Sequence, residues 1–155
     1  MATIENSAKA MIIHDDQILL VEYIDNEFGL GMWYSLPGGR QVFGDELTSS
    51  LARECMEEVG AEITVGPLRV IREYVHSNHE LRDVGRDQHK VEFMFLCGLA
   101  SEIRSVSQAT ADAGQVAARW VHLDELSKLN IFPRKLKDLR RLLDEGREIY
   151  WGDTY

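Results

Sequence analysis

Residues 38–61 read GGRQVFGDELTSSLARECMEEVGA, and this stretch constrains the chain more than any other. It sets Arg53, Glu54, Glu57 and Glu58 within six positions, after a Gly-Gly pair and before the stop at Gly60. On a helix, at about 100° per residue, the three glutamates share an arc of roughly 100°. Like-charged i,i+4 neighbours such as Glu54 and Glu58 destabilise an isolated helix by ~0.2–0.5 kcal/mol. A hard divalent cation turns that repulsion into a binding site, because Mg²⁺ prefers oxygen ligands. Next to the glutamates, Leu51, Cys55 and Val59 follow i,i+4 spacing, with Ala52 beside them, and this stripe is predicted to bury against a sheet, leaving the carboxylates at the edge of the packed surface. Asp45 is the expected N-cap and Gly60 the expected left-handed C-cap, for a helix from about Glu46 to Val59.

The remaining composition excludes several alternatives. A chain of 155 residues is expected to form one domain over 1–155 with its own core. A net charge of -9 disfavours broad binding to nucleic acid or to acidic membranes, although a local basic patch can still hold phosphate. Cys55 and Cys97 sit in apolar runs without a CxxC, as expected of reduced, buried thiols in a cytoplasmic protein. The opening MATIENSAKA lacks the basic and apolar regions of a signal peptide. No apolar run reaches the ~20 residues of a membrane span.

Strand and helix signals alternate along the chain. Ala8–Ile13 and Gln17–Ile24 read as a hairpin around His14-Asp15-Asp16, and Trp33–Leu36 as a short strand entering Pro37-Gly38-Gly39. After the acidic helix, Ile63–Val65 and Leu68–Val75 read as strand broken at Gly66-Pro67, and His76–His89 as a long polar loop. Val91–Leu99 is a near-continuous apolar run suited to a central strand, and Val116–His122 is a further strand. Leu123–Leu129 gives a short helix signal, and Pro133–Glu145 a longer one with Leu136, Leu139 and Leu143 on one side. The aromatic end, Ile149 to Asp153, is expected to dock on the domain or on a second subunit. The order predicts an α/β fold, a mixed β-sheet with helices on both faces.

The acidic segment resembles the Nudix box, G-x5-E-x7-R-E-U-x-E-E-x-G-U, where U is a bulky aliphatic residue. Gly39, Arg53, Glu54, Glu57, Glu58 and Gly60 stand at six of its seven fixed positions. Asp45 stands at the first Glu, and Cys55 and Ala61 fill the U positions with small side chains. The resemblance implies a Nudix-type α/β/α sandwich and a hydrolase acting on phosphoanhydride bonds. It also implies Mg²⁺ as cofactor, with Mn²⁺ as an alternative, and a small nucleotide as substrate. The substrate class it implies is a nucleoside diphosphate linked to another moiety: a nucleotide sugar, ADP-ribose or a modified nucleoside triphosphate. By the same resemblance Glu54, Glu57, Glu58 and the Gly38 carbonyl are the expected metal ligands, and Arg53 orients the carboxylates. Glu54 stands first as general base, with Glu92 or Asp112 behind it. A homodimer is also implied.

Outside the box the expected substrate contacts are Trp33, Arg72, Glu92, Asp112 and Gln115, each of which also has an ordinary structural reading. Phe28, Trp33 and Tyr34 are candidates to stack on a base. The segment from Arg72 to Lys90, with Arg82 and Arg86 and its histidines, is a candidate phosphate grip or a solvated loop. No Glu occurs between Glu102 and Glu125, and Asp112 is the only carboxylate in the run Ala111–Gln115 that precedes Val116. Asp45 is one methylene shorter than the family's Glu and is read as a structural substitution. Two other functions compete: hydrolysis of an RNA 5′ end, which the acidic balance disfavours, and a non-catalytic nucleotide sensor, which the intact REXXEE core disfavours.

Overall fold

Strand β1 (Ile4–His14) runs through the middle of the molecule with both faces covered. Ala8, Ala10 and Ile12 face one apolar layer and Met11 the other, as the two-residue period of a strand dictates. The computed structural model describes residues 2–102, 114–146 and 148–155. Asp15 and Asp16 turn the chain into β2 (Gln17–Asp25), both with positive φ, 48° and 59°. Aspartate tolerates that left-handed region better than most side chains, and two such residues make a tight hairpin turn. The predicted hairpin is therefore present.

The other strands are β3 (Gly31–Ser35), β4 (Gly38–Arg40), β5 (Ile63–Val75), β6 (His89–Leu99), β7 (Gln115–His122) and β8 (Tyr150–Asp153). The helices are α1 (Leu47–Val59) and α2 (Leu139–Glu145), with 3-10 turns at His76–Asn78, Leu123–Lys128 and Arg134–Asp138. The sheet order is β3-β2-β1-β6-β5-β8, with β4 added to β1 and β7 to β2. β1 runs parallel to β6, and β5 parallel to β8; the remaining pairs are antiparallel. The sheet is thus mixed, and the apolar β6 lies between β1 and β5 as its composition predicts. Leu51, Cys55 and Val59 of α1 pack on one face with Ile12, Leu19 and Val21. Leu136 and Leu139 pack on the other with Met11, Met94 and Trp151.

Several sequence expectations are corrected. Ala52 is exposed, and Ser50 takes the buried place on α1, its Oγ accepting from the Val42 N–H at 3.2 Å. Glu46, not Asp45, occupies the N-cap position and makes no side-chain cap bond. Asp45 still belongs to the preceding turn, its N–H donating to the Val42 carbonyl at 3.0 Å. Gly60 is the left-handed C-cap, φ 65°. Gly66-Pro67 does not end the strand. β5 continues through with register shifts around Leu68, which is how a ladder absorbs a proline without an N–H. Gly66 is required there, since a Cβ would lie 2.5 Å from the Leu96 carbonyl oxygen. The long C-terminal helix is only α2, preceded by a 3-10 turn. The i,i+3 spacing of Leu136 and Leu139 serves either geometry and could not separate them.

The aromatic end docks as strand β8 on β5, with Trp151 buried. Asp153 fastens it by accepting from the Val75 N–H at 2.9 Å, Asn78 Nδ2 at 2.7 Å and His79 Nε2 at 2.7 Å. Partial burial works against the Asp153 charge, but Asn78, the Val75 N–H and His79 hold the carboxyl below its ordinary value of 3.8. A folded-state pKa below the unfolded one stabilises the fold above the unfolded value, and that stabilisation is lost as pH falls through the folded value. Asp153→Asn should therefore melt earlier than the parent at neutral pH. In thermal melts across pH the gap should narrow steadily below about pH 4.

Candidate functional site

β4 approaches β1 too closely for side chains. Gly38 pairs with Lys9 and Gly39 with Ala8, and Gly38 has φ 135°. A Cβ at Gly38 would overlap the Ala8 carbonyl oxygen and lie 2.9 Å from Lys9 Cα. A Cβ at Gly39 would meet Glu54 Cδ at 2.5 Å. These two glycines therefore let the carboxylates of α1 come down onto bare backbone. Glu58 is buried and its Oε2 accepts from the Gly38 N–H at 2.7 Å. Glu54 lies against Gly39, and Arg53 Nη1 reaches Glu54 Oε1 at 2.9 Å and Glu57 Oε1 at 3.4 Å. Burial works against the Arg53 charge, yet Glu54 and Glu57 raise it above its ordinary value. Asp45 is exposed, and its carbonyl accepts from Gln41 Nε2 at 2.8 Å.

The donors here are carboxylate and carbonyl oxygens, the chemistry a hard divalent cation prefers. Among the described residues no three Asp, Glu, His or Cys side chains already converge as a metal cluster. Glu58 is turned onto Gly38, and Glu57 toward Arg53. The Gly38 carbonyl accepts from Lys9 Nζ at 3.0 Å, and the Leu36 carbonyl from the same ammonium at 3.5 Å. The donor set thus suits such an ion in kind, with its oxygens engaged by Arg53, Lys9 and backbone.

Two adjoining cavities open beside this strand. A polar cleft of about 480 Å³ is lined by Glu5, Ser7, Lys9, Gly38, Gly39, Arg40, Glu54, Arg86, Gln88, Lys90 and Glu92. A smaller pocket of about 240 Å³ is lined by Leu30, Trp33, Tyr74, Leu81, Phe132 and Tyr155, with Ser35 and Arg72. Lys9, Lys90 and Glu92 line both. Trp33 stacks on Tyr23 (centroids 4.3 Å apart, planes at 13°) and meets Phe132 edge-on at 6.0 Å. Tyr74 stacks on His79, and His79 on Tyr155, so the far wall is a run of stacked rings.

Of the expected substrate contacts, Trp33, Arg72 and Glu92 line the pocket. Tyr34 is buried in the core, and Phe28 is exposed and does not line either cavity. Arg72 and Glu92 are both buried and joined at 2.6 Å, and Arg72 Nη1 also donates to the Thr154 carbonyl. Burial would push Glu92 up; the Arg72 guanidinium, with Lys9 and Lys90, brings it below the ordinary carboxylate value instead. Gln115 opens β7 and donates from Nε2 to the Glu58 carbonyl at 2.7 Å, which ties it to the end of α1. Asp112 lies outside the described residues. Of the basic loop, Arg86 and Lys90 line the polar cleft, whereas His76 bonds the Val84 carbonyl and His79 bonds Asp153. Sequence reading passed over Lys9, Tyr74, Phe132 and Tyr155. Lys9 carried the same signal as Glu92, a charge inside an apolar strand. The aromatic residues carried none, because their meeting depends on the docking of β8. Burial pushes the Cys97 thiol up to about 11 and Cys55 higher still, so neither is a thiolate nucleophile near neutral pH.

Removing Arg72 takes from the buried Glu92 carboxylate its hydrogen-bonded counter-charge; breaking a buried pair typically costs about 3–5 kcal/mol, and the neighbouring Lys9 and Lys90 keep this loss toward the lower end. Arg72→Met should therefore lose about that much in urea denaturation, and Arg72→Met with Glu92→Leu should recover a large part of it.

A NUDIX domain model matches residues 5–142. No curated protein sequence matches the chain. Among solved structures, a NUDIX hydrolase from Nitrosomonas europaea superposes with a TM-score of 0.72 at 21% identity, covering 95% of this chain and 93% of that one. An ADP-ribose pyrophosphatase from Streptococcus suis gives 0.63 at 22% identity, covering 97% and 98%. A UDP-X diphosphatase gives 0.69 at 23% identity, covering 99% of this chain and 68% of that one. The order of the sheet, the Gly-Gly strand under the acidic helix and the domain match over most of the length agree: the chain belongs to the Nudix family of hydrolases, enzymes that act on phosphoanhydride bonds.

Proposed function

We propose that this enzyme is a Mg²⁺-dependent pyrophosphohydrolase whose substrate is a small nucleoside diphosphate linked to another moiety. The observation that carries this reading is the adjacency of the two cavities. A ring-lined pocket sized for one base opens directly into a polar cleft edged by Gly38, Gly39 and Glu54. Stacking on Trp33, Phe132 and Tyr155 would contribute ~1–3 kcal/mol per base. The similarity to an ADP-ribose pyrophosphatase and a UDP-X diphosphatase supports the same substrate class.

Glu54, Glu57, Glu58 and the Gly38 carbonyl would hold the metal, which supplies activation of water and neutralisation of charge on the bridging oxygen. Arg53 positions Glu54 and Glu57 through its two ion pairs. Glu54 lines the cleft and is the best-placed group to take the water proton at its carboxylate. Glu92 is spent on Arg72. Water adds to one phosphorus, the bond to the bridging oxygen breaks, and both halves leave as phosphomonoesters. No described helix is long and apolar enough to cross a membrane. The acidic composition and the buried cysteines support a one-domain cytoplasmic enzyme. A pocket for one base and a net charge of -9 favour this reading over an RNA end.

With Mg²⁺, a panel of nucleotide sugars, dinucleotides and triphosphates should contain a compound cleaved to phosphomonoesters, detected as phosphate released by an added phosphatase. Glu54→Gln and Glu58→Gln should each lower its turnover by ~100-fold or more with circular dichroism unchanged. Near-parental turnover in both would remove them from the mechanism. Asp45→Glu should leave turnover close to the parent's, because Asp45 is exposed while Arg53 has Glu54 and Glu57 as partners. A large gain in rate would show that the shorter side chain limits the enzyme.

A further inference from the structure

We infer that Lys9 and Lys90 form a two-ammonium clamp, at the junction of the two cavities, for the substrate phosphate next to the nucleoside. That placement rests on the nucleotide reading above. The two lysines come from neighbouring parallel strands, β1 and β6, in which Glu5 is opposite Lys90, Ser7 opposite Glu92 and Lys9 opposite Met94. Strand alternation puts Lys9, Lys90 and Glu92 on one face, and all three line both the ring-lined pocket and the polar cleft. A base in the pocket with its phosphates in the cleft brings a phosphate to the boundary that these two lysines share.

Around Glu92 itself, cations outnumber carboxylates. Lys9, Lys90 and Arg72 surround Glu92, whose carboxylate already takes the Arg72 guanidinium at 2.6 Å. Lys9 donates to the carbonyls of Gly38 and Leu36, which leaves a third N–H for a ligand. No hydrogen bond or salt bridge joins the Lys90 ammonium to a described residue, and Glu92 and Glu5 act on it only at longer range. Burial holds its ammonium below the ordinary lysine value, against the pull of Glu92 and with the further push of Lys9. A half-buried ammonium with no hydrogen-bonded counter-charge, beside a second cation, is stabilised by an anion. Phosphate supplies that anion and has acceptors for both ammonium groups. In a chain of net charge -9, a cleft lined by Lys9, Arg40, Arg86 and Lys90 against Glu5, Glu54 and Glu92 is a local device rather than a property of the surface.

The test uses the full chain in EDTA, so that metal contributes nothing. Binding of methylenediphosphonate, and of the α,β-methylene analogues of ADP and UDP, is measured by calorimetry for the parent, Lys9→Met, Lys90→Met and Lys9→Arg. Each Met variant should bind methylenediphosphonate about tenfold or more weakly, and Lys9→Arg should retain most of the affinity. Thermal melts check the fold; if Lys9→Met does not fold, Lys90→Met carries the test. Parental affinity in the folded Met variants, or no binding of methylenediphosphonate by the parent, overturns the clamp. Lysine-dependent binding of methylenediphosphonate with no gain from either nucleoside supports the clamp and removes the nucleotide reading.

Discussion

The contact between β4 and β1 sets the geometry of the cleft. Gly38 lies where even a methyl group would overlap the Ala8 carbonyl, so the backbone of β4 is held against the central strand with nothing between them. That closeness brings the Gly38 N–H within reach of Glu58 and leaves Gly39 bare for Glu54. A buried carboxylate such as Glu58 persists only where donors compensate for lost water. The N–H of a strand whose other edge is already paired is such a donor, fixed in direction. The helix that carries the acidic residues is thus located by its charges as well as by its apolar stripe.

A second constraint comes from the opposite end of the cleft. Arg72 and Glu92 face each other on β5 and β6, and Arg72 also takes the Thr154 carbonyl just past β8. One guanidinium therefore joins the sheet, the cleft floor and the last strand. Its planar set of donors suits that position, where a lysine could not satisfy both acceptors in fixed directions.

The sequence disclosed the acidic helix, its Gly60 cap, the hairpin and the central β6, because each rests on local chemistry at fixed spacing. It also located the Gly-Gly pair beside the acidic helix, which the structure places in strand β4 rather than in a turn. It did not disclose the pocket, since Trp33, Tyr74, Phe132 and Tyr155 come from four separate segments and meet only through tertiary contacts. β8 was hidden by its length of four residues, too short for periodicity to register. Asp45 looked like a cap from its residue type, but the turn that bonds its N–H to Val42 shifts the helix start to Leu47. Lys9 and Glu92 were equally visible as charges within apolar strands. Only the parallel register of β1 and β6 turns two isolated anomalies into neighbours.

The short last strand gives the ring-lined pocket a thermodynamic partner. β8 pairs with a single neighbour, β5, at the edge of the sheet, and the segment that follows it carries Tyr155 into the wall of the pocket. Edge segments with few contacts open at lower free energy than the core. When this one opens, the pocket loses a wall, so a ligand that fills the pocket binds the docked form in preference to the open one. By linkage, occupancy and docking reinforce each other: amide exchange in residues 150–155 becomes a measure of how full the pocket is.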